Sequence, residues 1–453
     1  MSEKFYAKSP GNEGYIKNME VIAFHDLNED NIFQMALYRT SAGKYYLYCA
    51  AFSSMGVTIL DVTDAEHPKY IQRLKVVDPV EYPTTRTPKI QIADDLMIVA
   101  MSSGGGAAVS SADRGTASKY QNGVQIWSLK DDPEHPEFLS YWDNGVPGGI
   151  GVHRFCYNGG RYVHLSSDCA GFEGMIYRIL DIADPRHPKE VGRWWLAEQY
   201  VDGILGADYD PTAKHNPVFM DKGHMHGPPF VVDQLAYCGY SGAGLCIVDI
   251  SDVARPKLKG QLKLHPPFSG GLAGSRCHTA LPLTGRNLVV VTNEGERFAW
   301  MDKEKLTEAQ PMNNLHMVDV RNPEKPTLIA EFPYPEVPEN FPYRNFNEMM
   351  LDVQGPFGPH NVHEPMSNKP WLEDNPNRVY CCYFSAGMRV YDVSDPYYIK
   401  EIAYFIPPNP EKRRFPHYPG PLVATTEDCI VDDRGYIYMD CLEDGLYILR
   451  TTV

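Results

Sequence analysis

One motif recurs along this chain, and its spacing limits the fold to a ring or array of small sheets. A short apolar strand, an Asp and a Pro-containing turn read GVTILDVTDAEHPKYI from Gly56, GVQIWSLKDDPEHPEFL from Gly123 and MIYRILDIADPRHPKEV from Met175. The pattern returns as GLCIVDISDVARPKLK from Gly244, LHMVDVRNPEKPTLI from Leu315 and GMRVYDVSDPYYIKEI from Gly387, with a truncated copy, GLYILRTTV, from Gly445. Apolar and polar residues alternate, with β-branched and aromatic enrichment, which is strand chemistry. A D-P or H-P pair in four of the six full copies, and another X-P pair in the other two, supplies a turn. Such a unit cannot bury its faces alone, so neighbouring units must stack.

Each motif strand follows another apolar run: KYYLYCA, LMIVAMS, RYVHLSS, LAYCGYS, NLVVVTN, RVYCCYF and GYIYMDC. With an inner and an outer strand added, every pair becomes a four-stranded blade, and the pairs number seven. The expectation is an all-β, seven-bladed β-propeller that forms one domain over residues 1–453. Six blades and a stray hairpin is the alternative. The last copy stops after its third strand, and NMEVIAFHD (residues 18–26) has the character of the missing outer strand. Joining the N-terminal strand to the C-terminal blade closes the ring and removes a sheet edge. The motif, best kept at LCIVDISD, resembles the LVIVD repeat of bacterial propellers. The likeness covers nearly the whole chain and implies the fold while saying almost nothing of function.

Composition narrows the partners. A formal charge of −16 argues against nucleic acid and anionic membrane, because both need a basic patch. The polar N-terminal sequence has no apolar signal-peptide region. No run approaches the roughly 18 apolar residues of a membrane span. The ten cysteines form no C-x-x-C ladder, and several, such as Cys49, Cys381 and Cys382, lie in apolar strand runs. Buried reduced thiols and a cytoplasmic location are expected. Nothing in the sequence specifies an oligomer.

Long connections concentrate on one face of the ring. They include residues 103–122, 196–225, 294–314, 333–359 and 406–425, and loops carried on a rigid scaffold commonly bind ligands. The innermost strands begin just after this face, and four consecutive blades place histidine there: His153, His226, His278 and His360. Glu427 follows in the next blade, while the two preceding positions carry Lys89 and Gln34 or Met35. The outer-turn histidines His67, His135 and His187 read as solvent-facing. Convergence on an axis gives chain-distant imidazoles the spacing of metal ligands, about 2.0–2.2 Å from one ion. His153, His226, His278 and His360 are therefore the expected ligands of a divalent transition metal, zinc or iron. His224 and His363 are neighbours that compete with His226 and His360 for that role. Glu294, Glu364 and Glu427 are placed to accept the second ring N–H.

The loops over this face are rich in aromatics and proline, the composition of a small-molecule pocket. Lys89, Arg154 and Arg276 add positive charge near its mouth, which suits a carboxylate or phenolate on a partly apolar or aromatic substrate. The expected function is Lewis-acid and general-base chemistry of the lyase, hydratase or hydrolase type. In it His224, Glu427, Lys89 and Arg154 are the catalytic candidates, and Arg276 and His363 the substrate-binding ones. Non-haem iron oxygen chemistry on four histidines is the second reading. In architecture alone, such a site resembles that of the seven-bladed carotenoid-cleaving oxygenases. A non-catalytic binding or scaffold propeller is the third. The segment SSGGGAAVSS (residues 102–111) matches no phosphate loop, lacking both a Lys and a helix after it, and reads as a flap.

Overall fold

The computed structural model describes residues 3–9, 12–51, 55–83, 85–102, 121–146, 149–200, 224–264, 276–294, 313–353, 355–365, 369–414 and 422–453. They form seven antiparallel sheets, one per blade. Blade 3 shows the plan: an inner strand Val152–Cys156, a second strand Tyr162–Asp168, the motif strand Met175–Asp181 and an outer strand Lys189–Trp194.

The motif strand is buried on both faces because blades pack against each other, so Leu245, Cys246, Ile247 and Val248 are all inaccessible. The Asp that ends it turns the chain. Asp61, Asp181, Asp249, Asp319 and Asp392 each accept the backbone N–H two residues on, at 2.9 Å. This is the Asx-turn chemistry that makes Asp, rather than another polar residue, the natural strand terminator. In the next turn the exposed His67, His135 and His187 pair with Asp64, Asp132 and Asp184. In every blade one residue is skipped between the motif and outer strands, for example between Ile179 and Leu180 or Ile247 and Val248. Such bulges increase local twist, which propeller blades require.

Ring closure takes the form expected from residues 18–26. Met19–His25 pairs with Gly445–Thr451, running from Thr451↔Met19 to Leu446↔His25. Three features were not read from the sequence. Residues Glu3–Ser9 and Asn12–Lys17 form a hairpin that adds two strands to the outside of blade 6. The long connection before blade 6 contains a helix, Phe346–Val353. The inner segment of blade 6 is not a regular strand; it meets the second strand through the isolated bridge Val362↔Cys381 and separate backbone bonds such as His363 N–H to Tyr380 O. The expected flap at residues 102–111 lies, beyond Ser102, outside the described residues. All ten cysteines are buried and free, and among the described residues no helix is long and apolar enough to cross a membrane.

Candidate metal centre

A second bulge recurs on the inner strands, at the histidines. In blade 3 the pairing skips from Val152↔Ser167 to Arg154↔Ser166, leaving His153 over. In blade 5 it skips from Cys277↔Asn293 to Thr279↔Thr292, leaving His278 over. In blade 4 one carbonyl, Gly239 O, accepts both His226 N–H at 3.0 Å and Gly227 N–H at 3.3 Å. In blade 6 Cys382 O accepts His360 N–H at 2.8 Å, and Cys382 N–H donates to Asn361 O at 2.9 Å. A bulge re-aims a side chain, and here the four rings form a continuous arc. Their centroids are 4.7 Å apart from His153 to His226, 4.7 Å from His226 to His278 and 4.8 Å from His278 to His360. Imidazoles bound side by side to one ion at about 2.0–2.1 Å have centroids on the order of 4.5–5 Å apart.

The same register corrects two positions. Phe33 N–H donates to Ala50 O at 2.9 Å, which is the bond His360 makes to Cys382 in blade 6. Gln34 pairs with Ala50 and Lys89 with Ala100, as Thr279 pairs with Thr292. Phe33 and Pro88 therefore stand at the histidine level in blades 1 and 2. Lys89 and Gln34 belong one residue further on, and Met35 two, because the bulge consumes a residue that counting along a strand cannot detect.

Glu294 joins the centre from the end of the second strand of blade 5. A nitrogen of His226, a nitrogen of His278 and a carboxylate oxygen of Glu294 all lie within 4.8 Å of one another. Glu294 Oε2 is 3.6 Å from His226 Nδ1, and its Oε1 is 3.9 Å from His360 Nε2. All four groups are buried. The sequence singles out Glu294 only as an acceptor for a ring N–H, since it is on a different strand from the histidines.

Surrounding contacts set the rings. His360 Nδ1 lies 2.8 Å from Glu427 O and 3.1 Å from Glu427 Oε2. A carbonyl only accepts, so Nδ1 carries the proton and Nε2 keeps its lone pair toward Glu294. His278 Nδ1 is 2.7 Å from Thr279 Oγ1. Burial holds His278 well below its ordinary pKa, helped by His360, Arg154 and Lys89. Burial, then Lys89 and Arg154, does the same for His360. Both imidazoles are thus neutral, the form that ligates metal. Gly227 and Gly239 let blade 5 approach this closely, because a Cβ on either would lie 1.8 or 2.4 Å from His278 O.

The remaining candidates separate. His224 is buried with its ring 6.0 Å from that of His226. Burial and the Arg154 charge bring Lys89 down to about 7, and its Nζ lies over the Phe33 ring at 4.0 Å. Arg154 is not at the mouth. Its buried guanidinium crosses to blade 6, where it bonds Asn361 Oδ1 and, at 3.0 Å, Glu364 Oε1. Glu364 therefore serves Arg154 and Gln91 Nε2, at 3.0 Å, as acceptor. His363 is not brought to the cluster. Its Nδ1 accepts Val431 N–H at 3.1 Å and its Nε2 donates to Glu373 O at 2.7 Å, so backbone occupies both nitrogens. Arg276 begins the inner strand of blade 5, and its side chain lies outside the described residues.

Residues 231–263, which hold the motif strand and outer strand of blade 4, match the family model described as LVIVD repeat. No curated protein sequence matches the chain. Among solved structures, Saccharomyces cerevisiae Sqt1 is similar over 96% of this chain and 98% of its own, at 7% identity and a TM-score of 0.51. A hypothetical selenium-binding protein from Sulfolobus tokodaii aligns over 85% of this chain and 78% of its own, at 12% identity and a TM-score of 0.49. The Cps50 (Swd1) β-propeller domain of Myceliophteria thermophila aligns over 96% and 100%, at 11% identity and a TM-score of 0.47. At such identities the likeness is one of fold alone. The chain is a seven-bladed β-propeller, one stretch of which, residues 231–263, matches the LVIVD repeat.

Proposed function

We propose that this propeller is a metal-dependent enzyme whose divalent transition metal, zinc or iron, is held on the axis by His226, His278 and Glu294, with His360 and His153 beside them. One observation carries the reading: three buried ligand atoms from blades 4 and 5 lie within 4.8 Å of one another. Two neutral imidazoles and a carboxylate suit either ion. The metal would supply Lewis acidity toward a small, partly apolar or aromatic substrate. The chain's own residues do the rest. Glu427 fixes His360 in the Nδ1–H form, Thr279 orients His278, and His224 is close enough to the arc to move a proton. The reaction class this favours is lyase, hydratase or hydrolase.

A second reading, non-haem iron oxygen chemistry, gains from Glu294, because two histidines and one carboxylate form the ligand set of many iron oxygenases. Elemental analysis of protein purified without chelator tests both. About one metal per chain is expected, lost in a His226→Ala/His278→Ala variant that still folds. Metal-free wild-type protein would instead support a non-catalytic scaffold. Oxygen dependence of turnover then separates the two chemistries.

A further inference from the structure

Seven blades contribute one residue each to the level of the arc, and the level is not uniform. His226, His278, His360 and Glu427 are buried, whereas Phe33 and His153 are partly exposed. These two flank blade 2, where Lys89 stands just beyond the arc. The Phe33 ring lies 4.0 Å from Lys89 Nζ and 6.3 Å from the His360 ring, so it joins the ammonium to the centre.

Lys89 is 1% exposed, and a buried amine without a counter-charge is driven toward its neutral form, which an incoming anion reverses. Among the described residues no carboxylate stands within ion-pair distance of Nζ. The acidic groups in its field are engaged elsewhere. Asp428 Oδ2 accepts Met35 N–H at 2.8 Å, Glu364 takes Arg154 and Gln91, and Glu427 takes His360. Of the three cations the sequence places near the mouth, Arg154 is spent on blade 6 and the Arg276 side chain lies outside the described residues, so Lys89 is the described one open to an incoming group.

We infer that Lys89 and Phe33 form an anion subsite beside the centre, which takes the carboxylate of a small apolar or aromatic acid entering between Phe33 and His153. This rests on the enzyme reading and narrows its substrate class: the acid's charge meets the ammonium and its apolar body meets the Phe33 ring. A buried, desolvated ammonium discriminates strongly between a carboxylate and its neutral amide.

Benzoate and benzamide are the probes, titrated calorimetrically into the full-length chain as purified and after chelator treatment. Benzoate is expected to bind both forms, with benzamide roughly tenfold weaker or worse. Lys89→Met should weaken benzoate by a similar factor, and Lys89→Arg should keep most of the affinity. Metal content, measured on the same samples, should be unchanged in Lys89→Met. Its absence from wild-type protein would count against the metal reading and leave the benzoate comparison intact. Equal binding of benzoate and benzamide, undiminished benzoate binding by folded Lys89→Met, or no benzoate binding by the wild type would each overturn the subsite. The wild-type comparison of the two probes decides the matter should either variant fail to fold.

Discussion

His164, His316 and His363 lie away from the axial arc, and burial is the first cause that brings each imidazole down to about 4. Each is neutral in the folded protein at pH 7 and has a fixed partner. His164 Nδ1 meets Tyr177 Oη at 2.7 Å, and His316 Nε2 meets Asn293 Nδ2 at 2.9 Å. The folded pKa lies below the unfolded value near 6.5, so the unfolded chain binds more protons between the two. The stability each contributes is fully present above pH 6.5 and is lost as pH falls toward 4. Asp168 and Asp428 act in the opposite sense. Burial raises them to about 6 and about 7, so protonation on the acid side favours the fold. A difference measurement isolates one histidine. The melting temperature of the wild type relative to His164→Gln should be highest at pH 7 and should decline steadily between pH 6.5 and 4. A difference that does not change with pH would show that His164 is not buried neutral.

At the scale of elements, two blades share an internal brace between motif and outer strands. In blade 3 Arg178 bonds Glu190 Oε2 at 2.6 Å and Asn144 O at 2.9 Å. In blade 6, at the equivalent register, Arg389 bonds Glu401 Oε1 at 3.0 Å and Glu336 O at 2.8 Å. Arg389 also packs on the Phe346 and Tyr404 rings, 5.0 and 4.6 Å from their centroids. Burial raises the Glu401 pKa against the pull of Arg389. Removing one partner leaves a buried charge without compensation, which costs about 3–5 kcal/mol. Arg389→Met should therefore destabilise the protein by about that much in denaturant unfolding. The double variant Arg389→Met/Glu401→Leu should recover most of the loss, since a buried ion pair is often no better than apolar packing. Additive losses in the double-mutant cycle would contradict the brace.

The whole ring depends on two N-terminal attachments with different duties. Met19–His25 completes blade 7, whereas Glu3–Ser9 and Asn12–Lys17 only extend blade 6. A chain lacking residues 1–17 should melt somewhat lower but as one transition. A chain lacking residues 1–26 should melt much lower and over a broader range, because blade 7 is left open at its edge. Similar melting of the two would mean that closure contributes little. That closing strand was legible in the sequence, as were the blade number and the turn-forming Asp, because each repeat states its own strand and turn in local alternation. The histidine arc was legible too, since one repeat position holds the same residue in four blades. The roles around it were not. Lys89 stands one residue beyond the arc because bulges shift the frame, and Arg154 is consumed by Asn361 and Glu364 across the axis. His363 turns to the backbone of Glu373 and Val431, and Glu294 reaches the centre from a neighbouring strand. Local order along the chain thus fixed the architecture by itself. Which side chains meet at the axis was decided only by tertiary contact, because blade packing sets the distance between groups remote in sequence and the inner-strand bulges, as at His153 and His278, set their direction.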